Sequence, residues 1–374
     1  MSDIIIAAAS ARAFVRAAAA AGRRVIAADV FLDRDTRAAA AGTLRLIYAD
    51  GGFCADDVRA QIFPLLEQGA ELVYGSGFET QPELLEALAH HGKVWGNSAD
   101  KVRLLKSPAT FFALLSSPKI PFPAWSSTPP ENLEGWLCKR IGGSGGTHIF
   151  PAAHCADPMC YYQKKTAGTP VSLLFLADGK NVMPVGYNRQ LLAPSSSMPY
   201  RYGGVVSGAD LALHVRDGML KAAAEIAWSS GLCGLNSLDC MVDEHGFQVL
   251  EINPRLSATF ALYDAANAGA VLFEAHMQAC AGVLLQALPP EQPQAHLIYY
   301  APSDFMVSAA MEWPDWVADV PESGTVCKAE EPLCTVMASA DNADAALALA
   351  SARMAALGTN LNQVPKKSQA LEKS

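Results

Sequence analysis

Short apolar runs alternate with amphipathic stretches through residues 1–100. Ile4 to Ala8 is continuously apolar and reads as a strand buried on both faces, while Ala11 to Ala21 is an alanine-rich helix that stops at Gly22. Val25 to Asp29 resumes a strand, Leu72 to Gly75 predicts another, and a helix from Pro82 to His90 leads to a short strand at Val94-Trp95. Strands alternating with helices predict a parallel sheet covered on both faces, so residues 1–100 are expected to form a Rossmann-like α/β domain. No G-x-G-x-x-G follows the first strand, which excludes the dinucleotide fingerprint. Asp29 and Gly75-Ser76-Gly77, at strand ends, either line a crevice or only turn the chain.

The pattern changes from Lys101. A helix is expected to run to Leu115, then a proline-rich bend at Pro118 to Pro123, a surface loop at Pro129-Pro130, and a strand at Trp136 to Ile141. Strands are expected at Val171 to Leu176 and Gly186 to Leu191, with a turn at Arg201 to Gly204. His214 to Ser230 is an amphipathic helix burying Met219, Ala222, Ala223, Ile226 and Ala227. After Phe260 a helical stretch runs to about Leu288 and ends at Pro289-Pro290. Strands at Leu297 to Tyr300 and Cys334 to Ala338, a helix from Ala343 to Leu357, and a frayed tail from Asn362 through Lys366, Lys367 and Lys373 complete the chain. The expected divisions are 1–100, 101–288 and 289–374.

Composition narrows the classes. A chain of 374 residues, 51% hydrophobic, can bury more than one core. Its net charge of -9 favours neither nucleic acid nor an anionic membrane as partner. The start is too charged, at Asp3, Arg12 and Arg16, for a secretory leader, and no apolar run is long enough to span a bilayer, so a cytoplasmic location is expected. The nine cysteines lack short paired spacings; Cys155 and Cys160 stand too far apart for a zinc knuckle, and all are read as reduced, mostly buried thiols.

Polar residues break the apolar pattern most informatively between Gly231 and Phe260. Val249, Leu250 and Ile252 belong in a strand core, yet Glu251 and Asn253 interrupt it on one face and Arg255 follows Pro254. Leu238 to Asp243 reads as a partner strand with Glu244-His245-Gly246 as its turn. A three-residue loop with Gly246 left-handed pairs Asp243 with Phe247 and sets Asp239 opposite Glu251. At about 5 Å and an effective dielectric of about 20 that repulsion is about 3 kcal/mol, which a fold keeps only if something positive neutralises it. A hard divalent cation suits such oxygen ligands. A two-residue loop at His245-Gly246 instead shifts the register and puts Asp239 on the other face. Upstream, the strand holding Lys139 runs into Gly142-Gly143-Ser144-Gly145-Gly146, whose backbone N–H groups can wrap phosphate oxygens; a glycine-rich linker has the same composition.

The order Asp239, Glu251, Asn253, Arg255 resembles the metal-binding strand pair of the ATP-grasp superfamily, and Lys139 followed by the glycine loop resembles its phosphate lid. The resemblance implies a Rossmann-like first domain, an ATP-grasp fold of two α+β lobes, and a small β-rich C-terminal extension. It implies that Asp239 and Glu251 hold magnesium with help from Asn253, manganese being the alternative ion, and that Arg255 faces the reacting groups. Lys106 and Lys139 would contact the phosphates of ATP, and Gly143, Ser144, Gly145 and Gly146 would close over them. Tyr161-Tyr162-Gln163-Lys164 is similar to the hinge that recognises adenine, with Gln163 at that position; no acidic residue matches the ribose-binding position. Arg189 either faces the reaction centre, as a basic residue does in several relatives, or lies on a strand surface.

Such an enzyme activates a carboxylate as an acylphosphate, which an amine attacks to give an amide, ADP and phosphate. The chain looks most similar to the predicted carboligases, related to biotin carboxylase and to a tyramine–glutamate ligase of the methanofuran pathway. That resemblance implies small-molecule carboxylate and amine substrates and a place in one-carbon coenzyme synthesis, with a homodimer as one option for assembly. The alternatives are a bicarbonate-using carboxylase and a nucleotide sensor without turnover.

Overall fold

The computed structural model describes residues 2–155, 158–264, 268–285 and 292–363. Its first unit is the expected parallel sheet. Ile4–Ala8 is central, flanked by Val25–Asp29 and Glu71–Tyr74, with Gly42–Arg45 and Val94–Trp95 at the edges. Every residue of the central strand is buried, which the continuous apolar run requires. The helix Arg12–Ala20 covers one face, and its Phe14 and Val15 belong to a core cluster that also takes in Leu174, Leu235, Leu272 and Phe273. The N-terminal sheet is therefore locked to the rest of the molecule by shared apolar burial.

The helix expected from Lys101 to Leu115 is two helices, Ala99–Lys106 and Pro108–Ser116. Pro108 forces Ser107 into extended backbone, at φ -80° and ψ 120°. Lys106 thereby becomes the last residue of its helix. A small antiparallel sheet follows, ordered Ile149–Pro151, Trp136–Arg140, Cys160–Lys164, Trp125–Ser126. One expectation fails here: Cys138 and Cys155 form a disulfide, so not all the cysteines are reduced thiols.

The largest sheet has eight antiparallel strands, in the order Gly246–Asn253, Cys233–Asp243, Thr169–Asp178, Val182–Leu192, Tyr202–Ser207, Gln294–Tyr300, Pro332–Ser339, Val317–Ala318. The helix Leu213–Ser230 packs on it with the five expected residues buried, and ends at Gly231 in the left-handed conformation, φ 67°. After Phe260 the chain forms a 3-10 turn, Ala258–Tyr263, and a helix, Ala268–Cys280. The last helix, Ala343–Gln363, outruns its expected end and takes in Asn362, where a frayed tail was expected. Leu288, Pro289, Pro290, Lys366, Lys367 and Lys373 lie outside the described residues. Among the described residues no helix is long and apolar enough to cross a membrane.

Asp29 does not line a crevice. Its carboxylate accepts the amides of Ala11, Phe31 and Leu32 at 2.6, 2.6 and 2.8 Å, closing the turn after its strand. Nearby, Arg12 lies buried against Asp319 at 2.8 Å and Asp35 at 3.5 Å. Burial, and then the charges of Asp319, Asp29 and Asp35, push the Asp33 carboxyl up from 3.8 to about 8. The folded protein thus holds a proton that the unfolded chain releases near pH 3.8. Its stabilising effect is complete below that pH and lost as pH rises through about 8. Asp33→Asn should therefore gain stability relative to the parent on going from pH 5 to pH 9 in denaturant titrations. Parallel pH profiles for the two proteins would contradict this.

Candidate active site

Asp239 stands directly across from Glu251, but by a different route from the one the sequence suggested. Asp243 pairs with Gly246 around the two-residue loop Glu244-His245, and Cys240 still pairs with Val249 in that register. The Asp243 carboxylate accepts the amides of His245 at 2.8 Å and Gly246 at 3.1 Å, which closes this shorter loop. A β-bulge at Leu250 then brings the two carboxylates to the same rung. Without that extra residue Asp239 would face Leu250 and Glu251 would point away. The bulge assembles the pair.

Around it the polar groups converge. Asp239 accepts hydrogen bonds from Asn253 Nδ2 at 3.0 Å, Gln190 Nε2 at 3.2 Å and Ser237 Oγ at 3.1 Å. Lys106 donates to Asn253 Oδ1 at 2.8 Å and reaches Glu251 at 3.4 Å. Burial and then the charge of Glu251 raise the Asp239 carboxyl well above its usual range. Burial opposes ionisation of Glu251 too, but the charges of Lys106 and Lys139 outweigh it and hold this group down. One carboxylate is held ionised beside another held back from ionising. Such a pair takes up positive charge readily.

Lys139 is buried on the small sheet, and its ammonium makes no hydrogen bond or ion pair among the described residues. Burial lowers its pKa, against the pull of Glu251 and Asp239. Tyr161 is its cross-strand partner, and Gln163 lies two residues further along on the same face. Gln163 is 1% exposed, and its Nε2 is a buried donor without a partner among the described residues. A buried donor left unpaired costs about 1–3 kcal/mol, so this atom fits a ligand acceptor such as a nucleobase.

The glycine loop lies closed over the site. Gly142 sits with φ 73° against the Glu79 carbonyl, and Gly146, at φ 71°, would bring an added Cβ to 1.9 Å from the Tyr200 carbonyl oxygen. Tyr202 N donates to Gly145 O at 2.9 Å, holding the loop down. Gly146→Ala should disfavour this closed state through both backbone strain and collision, and lower kcat/KM for ATP by about tenfold or more. Steady-state kinetics at varied ATP would show it, and an unchanged value would argue against closure.

The two expected arginines part company. Arg189 does not join the group; its side chain bonds Asp344 at 2.7 Å on the opposite face of the sheet, and its neighbour Gln190 points to Asp239 instead. Arg255 is present, with Nε 2.7 Å from Glu79 and further bonds to Leu256 O and Asn253 Oδ1. Glu79 was not expected. It is buried, accepts the Gly77 amide at 2.7 Å, and is held ionised against its burial by Arg255 and Lys106. Its position after Gly75-Ser76-Gly77-Phe78, at a strand's carboxyl end, was the available signal.

Residues 108–259 match the family model described as ATP-grasp domain. No protein of curated function matches the sequence. The fold is similar to that of the biotin carboxylase domain of Hydrogenobacter thermophilus 2-oxoglutarate carboxylase, solved as a dimer with MgADP, ADP and bicarbonate; TM-score is 0.72 at 15% identity, over 96% of this chain and 90% of that one. Pyruvate carboxylase of Rhizobium etli gives 0.71 at 16% identity over 94% of this chain, which spans only 38% of that protein. Phosphoribosylamine–glycine ligase of Thermotoga maritima gives 0.67 at 13% identity, over 95% of this chain and 96% of the other. At such identities the likeness is one of fold.

Proposed function

This chain carries an ATP-grasp domain on a fold shared with biotin carboxylase, and from that premise we propose that it is an ATP-dependent ligase joining a carboxylate to an amine. The observation that carries the reading is the convergence of Asp239, Glu251 and Asn253 with Lys106 and Arg255, beside buried Lys139. Asp239 and Glu251, assisted by Asn253, are the residues that would hold magnesium, or manganese in its place. When bound, the ion would neutralise phosphate charge and align the transferred group.

The chain's own residues supply the rest. Lys106 and Lys139 bring positive charge to the β- and γ-phosphates, and the unpaired donor of Gln163 orients adenine. Gly143 to Gly146 cover the phosphates and exclude water, which would otherwise hydrolyse an activated intermediate. Arg255, fixed by Glu79, keeps N–H donors to spare for the substrate carboxylate and for the charge that builds during transfer. A carboxylate oxygen takes the γ-phosphoryl group and ADP leaves. The amine lone pair then attacks the acyl carbon, phosphate departs with the C–O bonding pair, and the amine loses a proton.

The test is phosphate release by the purified protein with ATP, magnesium and a panel of amino acids and amines. Amine-dependent release with an amide product supports the ligase. Bicarbonate-dependent release would favour a carboxylase, the second reading, which the relation to biotin carboxylase supports. Nucleotide binding without any turnover would overturn both in favour of a sensor. The resemblance to methanofuran-pathway ligases makes glutamate and tyramine the first pair to assay. A homodimer is the assembly we carry over from the H. thermophilus domain.

A further inference from the structure

On the face away from Lys139 the small sheet has only a slight hydrophobic core among the described residues: Cys138, Ala152 and Tyr162 are buried there, with Leu133, Trp136, Cys155 and Cys160 packed around them. Modules this small usually need a covalent or metal crosslink. Three sulfurs meet in that core. Cys138 is paired with Tyr162, and Cys160 lies two residues along the same strand, so strand alternation puts both sulfurs on the face opposite Lys139, Tyr161 and Gln163. Cys155 folds over that face from the end of the 3-10 turn Ala152–His154. The three Sγ atoms all lie within 4.8 Å of one another, and Cys160 Sγ is 2.9 Å from Cys155 Sγ although Cys155 is already bonded to Cys138.

The disulfide joins two of these sulfurs and leaves the third beside them. A single soft cation uses all of them. We propose that in the reduced protein Cys138, Cys155 and Cys160 bind one zinc-class ion as thiolates, with His154, whose ring lies outside the sulfur group, turning in as the fourth donor. His154 lines the same cavity of about 440 Å³ as Cys138 and Cys155. Thiolate and imidazole are the donors zinc prefers in closed structural sites. The chemistry balances: a dithiol reductant opens the Cys138–Cys155 bond, becoming a disulfide itself, and the three thiols release three protons as the metal binds. The Cys138–Cys155 disulfide is then the oxidised, metal-free form. The ion would brace the strand Trp136–Arg140 from behind, fixing the lysine on its other face.

The test uses the full chain, reduced with a dithiol, stripped of metal by a chelator, and titrated anaerobically with Zn2+ and Co2+. One zinc per chain and a thiolate-to-cobalt charge-transfer band are expected. Cys160→Ser should weaken zinc binding at least 100-fold, whereas Cys233→Ser, away from the cluster, should not. Cys160→Ala, checked by circular dichroism, separates metal loss from misfolding. Equal zinc binding by parent and Cys160 variants, or none by the parent, overturns the proposal. Peptide mapping would then assign an ordinary Cys138–Cys155 disulfide with Cys160 alkylated.

Discussion

Glu251→Gln should lower magnesium-dependent ATP turnover by about a thousandfold or more. The substitution keeps the shape of the side chain and leaves an oxygen to accept from Lys106, 3.4 Å away in the parent. What it removes is a charge at the point where Glu251 and Asp239 together oppose the cations of Lys106, Lys139 and Arg255. A divalent ion shared between two carboxylates loses most of its binding energy when one becomes neutral, and electrostatic stabilisation of phosphoryl transfer goes with it. Loss of a like-charge contact relieves Asp239, so thermal stability should stay near that of the parent. The measurement pairs turnover across a magnesium series with a melting curve. Near-parental turnover by a well-folded variant would end the metal assignment.

Glu79→Ala should cost about 3–5 kcal/mol of stability, because it strands the Arg255 guanidinium in a place almost without water. The two side chains are 4% and 8% exposed, 2.7 Å apart, and join the N-terminal sheet to the strand end that carries Asn253. Glu79→Gln keeps a hydrogen-bond acceptor and should lose less. Both should also depress kcat/KM, since Arg255 would turn toward other acceptors. Denaturant unfolding of parent and variants gives the comparison, and a loss below about 1 kcal/mol in the alanine variant would mean the pair is solvated.

The site was legible in the sequence wherever residues lie close along the chain. Glu251, Asn253 and Arg255 share one strand end, and Lys139 immediately precedes its loop, so local pattern sufficed for where they sit. Strand parity was harder. Val182–Leu192 is long and its pattern does not announce which face is buried, so the two placements of Arg189 stay open and Gln190 goes unnoticed. The carboxylate hairpin gave the expected rung from the wrong turn, because an Asx closure and a compensating bulge leave no mark in apolar periodicity. The Glu79–Arg255 pair, 176 positions apart, depends on how separate sheets dock, and the Cys138–Cys155 contact on how the turn after Ile149–Pro151 folds back over its own sheet. Composition along the chain carries no record of that.

The eight-stranded sheet has a practical corollary for anyone cutting the gene. Gln294–Tyr300 covers the outer edge of Tyr202–Ser207 along Gly204, Val205 and Val206, and Pro332–Ser339 covers it in turn. Homology delimits a module that ends at residue 259, yet truncation there would bare a ladder of unpaired amides inviting intermolecular pairing. The unit recognised by descent is smaller than the unit that folds, and expression should keep the strands through Ser339.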